Sequence, residues 1–83
     1  MPRPPHDQLN WDALSMQDIL TLAIRDEEEA RDYYRHAAEL AGDLNTRRMF
    51  QGLAEMEQGH ADLLTRELNE LNLQHDLEAG MAD

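Results

Sequence analysis

The stretch 53-LAEMEQGHADLL-64 decides how this chain folds. Leu53, Ala54, Ala61 and Leu64 recur at the three-and-four spacing of an amphipathic helix, the spacing that turns one face toward a core. Glu57 and His60 fall in the same stripe. A carboxylate and an imidazole one turn apart are therefore turned toward the apolar face. Burying either group is unfavourable unless a partner compensates it, so these two residues ask for a partner.

Working outward, the helix that carries them has a neighbour. Ser15-Met16-Gln17-Asp18 resembles a capping box, and Leu14 and Ile19 sit where a hydrophobic staple places them. From there to Ala41 the chain is rich in Ala, Leu, Glu and Arg and free of proline, which predicts a first helix. Gly42 is a natural stop, and Asp43 or Asn45 caps a second helix running to about Leu71. Gly52 and Gly59 each cost that helix up to about 1 kcal/mol against Ala, which packing must offset. The opening MPRPPHDQ has no periodicity and reads as an arm, with Trp11 a candidate for docking on the domain surface. The expected division is an arm over 1–14, a helical hairpin over 15–72 and a tail over 73–83, the tail adding a short turn of helix or staying loose.

Two helices of about 26 residues joined by a short turn make an antiparallel hairpin, each roughly 39 Å long. Helix one presents Leu20, Ile24, Ala30, Tyr34, Ala37, Ala38 and Ala41, and helix two presents Phe50, Leu53, Ala54, Ala61, Leu64, Leu68 and Leu71. Two amphipathic helices cover each other on one side only, and 83 residues give a lone chain little volume for a core. The expected fold is all-α: a two-helix antiparallel hairpin that dimerises into a four-helix bundle.

Composition narrows the function. Without cysteine there are no disulfides, thiolate metal sites or Cys nucleophiles. With 18 acidic against 7 basic residues and a net charge of −11, the chain lacks the basic footprint of a nucleic-acid binder and gathers cations instead. It has no apolar run of transmembrane length and no basic-then-apolar leader, so the expectation is no nucleic acid, no membrane and a cytoplasmic location.

Three polar residues interrupt the stripes: Glu27 on helix one, Glu57 and His60 on helix two. If the turn centres near residues 43 and 44, position numbers at equal height add up to about 87, the total that Glu27 and His60 give. Glu57 lies within one turn of the same level, about 24 Å from the loop. All three meet. A Glu from one helix and Glu-x-x-His from its neighbour is half the ligand set of carboxylate-bridged di-iron bundles. Two chains related by a two-fold supply the other half, so the incomplete site and the incomplete core call for the same homodimer. Oxygen and imidazole donors without sulfur suit Fe(II) or Mn(II), and raw affinity also admits zinc.

The run 26-DEEEARDYY-34 followed by 57-EQGH-60 resembles the ferritin-like superfamily, in particular its half-length members. Glu27, Ala30, Arg31 and Tyr34 look like the first-helix motif of rubrerythrins. Asp26, Glu27 and Glu29 with Tyr33-Tyr34 resemble encapsulated ferritins, whose iron site forms between two-helix subunits with the same spacing of 30 residues between the two Glu ligands. The resemblance spans roughly residues 16 to 71. It implies Glu27, Glu57 and His60 as ligands of two irons per dimer, Tyr34 as a catalytic neighbour, and Asp26 and Glu29 as an iron-access site. It implies ferroxidase chemistry, the oxidation of Fe(II) by O₂ or H₂O₂ for iron storage or detoxification. It also implies an encapsulin-type shell as partner and a place inside a protein nanocompartment. The sequence departs from the pattern in three respects. Residues 72–83 show no shell-targeting peptide, and there is neither the second Glu-x-x-His of rubrerythrins nor a Cys-rich electron-transfer domain.

The same residues admit other readings: rubrerythrin-like peroxide reduction, sequestration of zinc or manganese without turnover, or an acidic helical module that dimerises and binds a partner without metal. For Glu57 and His60 a plain buried ion pair is the alternative, and for Tyr34 it is core packing. Asp26, Glu28, Glu29 and Asp32 are otherwise a solvated acidic face.

Overall fold

A computed structural model of the chain describes residues 9–81, with side chains as far as residue 78. The arm expected over 1–14 lies outside the described residues up to position 8. Among the described residues there are two α-helices and one 3-10 turn over Trp11–Ala13, and no strands. Trp11 is 45% exposed.

Helix α1 spans Met16–Leu40. Its capping box is complete. The Ser15 hydroxyl accepts from the Asp18 amide and the Asp18 carboxylate accepts from the Ser15 amide, each at 3.0 Å. The shorter acid therefore reaches as well as the usual Glu. The C-terminus differs from expectation. Ala41 turns extended, with φ −65° and ψ 128°, and no glycine takes a positive φ, so Gly42 does not form a left-handed stop. The amide of Ala41 bonds back to the carbonyls of Ala37 and Ala38 at 3.0 and 3.3 Å, and the Arg47 guanidinium donates to the Ala41 carbonyl at 3.3 Å. These bonds satisfy groups that a glycine motif would otherwise serve. Of the two capping candidates the structure uses Asp43, whose Oδ2 accepts from the Thr46 amide at 3.0 Å.

Helix α2 spans Leu44–Met81, 38 residues, about ten residues past the end expected near Leu71. The segment 72-NLQHDLEAGM-81 has no proline and several strong helix formers, so nothing in it stops a helix already propagating. Those last turns outrun the start of α1.

The hairpin measures 61 × 28 × 11 Å. The smallest dimension is that of one helix with its side chains, about 10–12 Å, so the protein is a single layer. Where the helices touch, the buried apolar residues are all alanines, Ala30 and Ala38 against Ala54 and Ala61, and no large side chain is fully buried. Leu20, Ile24, Tyr34, Phe50, Leu53, Leu64, Leu68 and Leu71 are half-buried at the edges of this seam. Small residues let the helices approach closely but leave the larger ones uncovered.

Part of the uncovered apolar surface follows a pattern. Met49, Met56 and Leu63 repeat at heptad spacing on α2 and are exposed by 53%, 48% and 59%, while Tyr33 and Leu40 do the same on α1. At about 100° per residue, both sets and His60 project to one broad face of the slab. Arg31, Gln58 and Asp62 project to the other.

Candidate metal centre

The two most buried charged residues are Glu27 and Glu57, at 7% and 3% exposure in a chain that fully buries no leucine. Glu27 lies between Leu20 and Tyr34 on the inner line of α1, and Glu57 lies between Phe50 and Leu64 on that of α2. Heptad spacing thus carries a carboxylate into a position where the neighbouring turns carry apolar side chains. His60, three residues after Glu57, shares its helix face. Its side chain is 52% exposed, so the centre is closed by the helices behind and open toward the apolar face of the slab.

The three side chains converge as the heights along the hairpin predict. Each offers a ligating atom, and these atoms lie within 4.8 Å of one another. His60 Nδ1 stands 3.5 Å from Glu27 Oε2 and 3.5 Å from Glu57 Oε2. That one nitrogen faces both carboxylates. Burial pushes the Glu27 carboxyl above its ordinary value of 4.5, and the hydrogen bond with Glu57 and its negative charge push the same way, against the pull of His60. Two carboxylates brought together out of water repel one another, which disfavours ionisation of Glu27.

The donor set fits a hard or borderline divalent cation: two carboxylates and one imidazole, with no sulfur. A cation between them would relieve the repulsion. Three donors leave coordination positions open on the side of His60.

The other residues singled out in the sequence lie elsewhere. Asp26 is half-buried and Glu29 exposed, and neither belongs to the converging cluster. Tyr34 stands two turns, about 10 Å along the axis, from Glu27. Its ring stacks on Phe50 with centroids 6.1 Å apart and planes at 27°, and meets Tyr33 edge-on at 5.6 Å. This aromatic group closes the seam on the loop side of the carboxylates. Sequence reasoning also missed Gln58, which Arg31 reaches across the seam at 2.7 Å. The only local signal was the i, i+4 spacing of Gln58 and Asp62.

An all-α hairpin with an inward Glu on one helix and Glu-x-x-His on the next defines the ferritin-like class of carboxylate metal proteins. A family model described as rubrerythrin matches residues 18–82, and the chain belongs to this ferritin-like di-iron family. Rubrerythrins normally bind iron, and Glu27, Glu57 and His60 all lie within the matched span. No curated protein and no solved structure matches the chain.

Proposed function

We propose that the protein oxidises Fe(II) with O₂ or H₂O₂ at a two-iron site completed by a second copy of the chain, in the service of iron storage or detoxification. One observation carries this reading. The hairpin buries two carboxylates beside a half-exposed imidazole, at the edge of an apolar face that none of the described residues covers. A second hairpin laid on that face brings a second Glu27, Glu57 and His60 to the first set, which doubles the donors to four carboxylates and two imidazoles. The same contact supplies the second layer that a stable helical domain needs.

Fe(II) enters as substrate. Its positive charge would offset the repulsion between Glu27 and Glu57, and the carboxylates of two chains would hold two cations close enough to be oxidised together. With O₂ as acceptor, two Fe(II) give up one electron each and O₂ takes two electrons and two protons to leave as H₂O₂. With H₂O₂ as acceptor, the same two electrons and two protons cleave the O–O bond and release two waters. The chain's own part is to bind, to neutralise the ferric charge with carboxylate, and to keep one side open for the oxidant. A hairpin pair encloses no space for mineral, so storage on this reading needs a separate container such as a protein shell.

The family match also supports peroxide reduction, which uses the same centre but returns the iron to Fe(II) with electrons from outside. Anaerobic Fe(II) titration followed by admission of air tests the choice. Saturation at about one iron per chain, with near-UV ferric absorbance that fades as the protein is diluted below its dimer dissociation constant, is the expected result. Turnover of H₂O₂ only when a reductant is supplied favours the peroxidase. No uptake of Fe(II) overturns both.

A further inference from the structure

One helical turn from the metal centre lies a polar cluster that the proposed chemistry does not use. Arg31 follows Glu27 by one turn on α1, and Gln58 directly follows Glu57 on α2. Arg31 Nη1 donates to Gln58 Oε1 across the seam at 2.7 Å. The other end of that amide is held too, because Gln58 Nε2 donates to Asp62 Oδ1 at 2.8 Å. Arg31 is anchored on its own helix by Nε, which donates to Asp32 Oδ1 at 2.9 Å. The chain Asp32–Arg31–Gln58–Asp62 thus ties one helix to the other with its central groups held on both sides. The Arg31 side chain is only 18% exposed, so the cross-seam bond is shielded from water.

We propose that the Arg31–Gln58 bond is the register lock of the metal centre, setting α2 against α1 so that Glu57 and His60 meet Glu27. This rests on the reading of those three residues as a metal site. The buried apolar residues of the seam are alanines, small knobs that resist sliding weakly, and the Tyr34–Phe50 ring pair across it lies two turns from Glu27 toward the loop. Sliding α2 along α1 by one residue's rise, about 1.5 Å, would shift Glu57 and His60 against Glu27 while alanine still faces alanine. A directional bond is sensitive to such a slip where small apolar contacts are not, and buried polar groups are known to set helix register.

The lock works by geometry. The negative charges acting on Arg31 are those of Asp32, Glu28 and Asp62. The choice of glutamine fits the same role. Its amide accepts from Arg31 and donates to Asp62 at once, whereas a glutamate would lose the donation and add a carboxylate next to Glu57. Arg31 and Gln58 are therefore positioning residues.

The test is the anaerobic Fe(II) affinity of Arg31→Met, Gln58→Leu and the double variant, by calorimetry, beside their helical circular dichroism. Each single change is expected to weaken Fe(II) by about tenfold or more, in the range seen when the supports of metal ligands are removed. The double variant is expected to fall no further than the weaker single, because both break one bond. A purely structural contact would lower the melting temperature and leave the affinity of the folded protein alone. Losses within about twofold in both singles, or losses that add in the double, overturn the lock. If Arg31→Met loses its helicity, Gln58→Asn decides the matter: it keeps both hydrogen-bonding ends but shortens the reach by one methylene, and a loss below about twofold refutes the lock. Wild-type protein that binds no Fe(II) overturns the metal reading as well, whereas binding unchanged in the variants overturns the lock alone.

Discussion

His60 Nδ1 lies 3.5 Å from Glu27 Oε2 on the opposite helix, the same distance as from Glu57 Oε2 on its own. The contact within α2 follows from three-residue spacing and would exist in an isolated helix. The contact with Glu27 exists only because the turn at Ala41–Asp43 returns α2 at the right height and rotation. A local pair becomes a converging set of three possible ligands through one tertiary contact.

Removing a member of this set should abolish function without unfolding the protein. Glu57→Ala and His60→Ala are expected to lose Fe(II) oxidation while keeping helical circular dichroism. In the metal-free state Glu57→Leu should be more stable than the parent by about 1–3 kcal/mol, since an apolar residue replaces a buried carboxylate that only a cation relieves. Oxidation at the parental rate in either alanine variant would show that the centre lies elsewhere.

The Glu27 carboxyl sets the direction of pH dependence. Its value in the fold is raised above the ordinary 4.5, so its contribution to stability is fully present below that value and is lost as pH rises through the raised one. Without metal the protein should therefore lose this contribution as pH rises above 4.5, and Glu27→Gln should remove that part of the slope. Fe(II) binding runs the other way, weakening as pH falls through the raised value because the cation needs the ionised carboxylate. Melting temperatures of both proteins from about pH 5 to 8, with and without Fe(II), check the sign.

The apolar face should behave as an interface. Met56→Asp or Leu63→Asp places a charge where a second hairpin would bury a side chain whose burial provides about 1.5–3 kcal/mol. Gel filtration should show a shift from dimer to monomer, and iron oxidation should fall with it while the helices persist. A variant that stays dimeric and active would place the contact on another face.

The capping box provides a control remote from the centre. Ser15→Ala should cost about 1 kcal/mol of stability in chemical denaturation and leave Fe(II) affinity unchanged, because the cap lies about 18 Å from Glu27 along α1. A change in affinity would mean that fraying of α1 reaches the carboxylates.

Much of this was legible in advance because it is local. The Ser15–Asp18 box, the alanine and leucine stripes and the Glu-x-x-His face are properties of single helices. Equal height on an antiparallel hairpin follows from the helix rise alone. The stop at Ala41 was less legible, since a glycine two residues after a helix usually takes the left-handed turn, and here extended Ala41 and the Arg47 guanidinium satisfy the last carbonyls instead. The further run of α2 to Met81 escaped for a related reason, because helix-favouring residues past the end of α1 carry no stripe that demands a partner.

The sequence by itself determined the two helices, where the first begins and which three residue types could hold a metal, since short-range steric and hydrogen-bonding preferences act within a turn or two. The tertiary structure alone decided how deeply each acid of 26-DEEEARD-32 sits. Rotation of α1 against α2 buries Glu27 and leaves Glu28, Glu29 and Asp32 in water. It also decided that the seam is alanine, that Arg31 reaches Gln58, and that Tyr33, Leu40, Met49, Met56 and Leu63 stay exposed. Burial is a relation between two surfaces, and no single helix contains it.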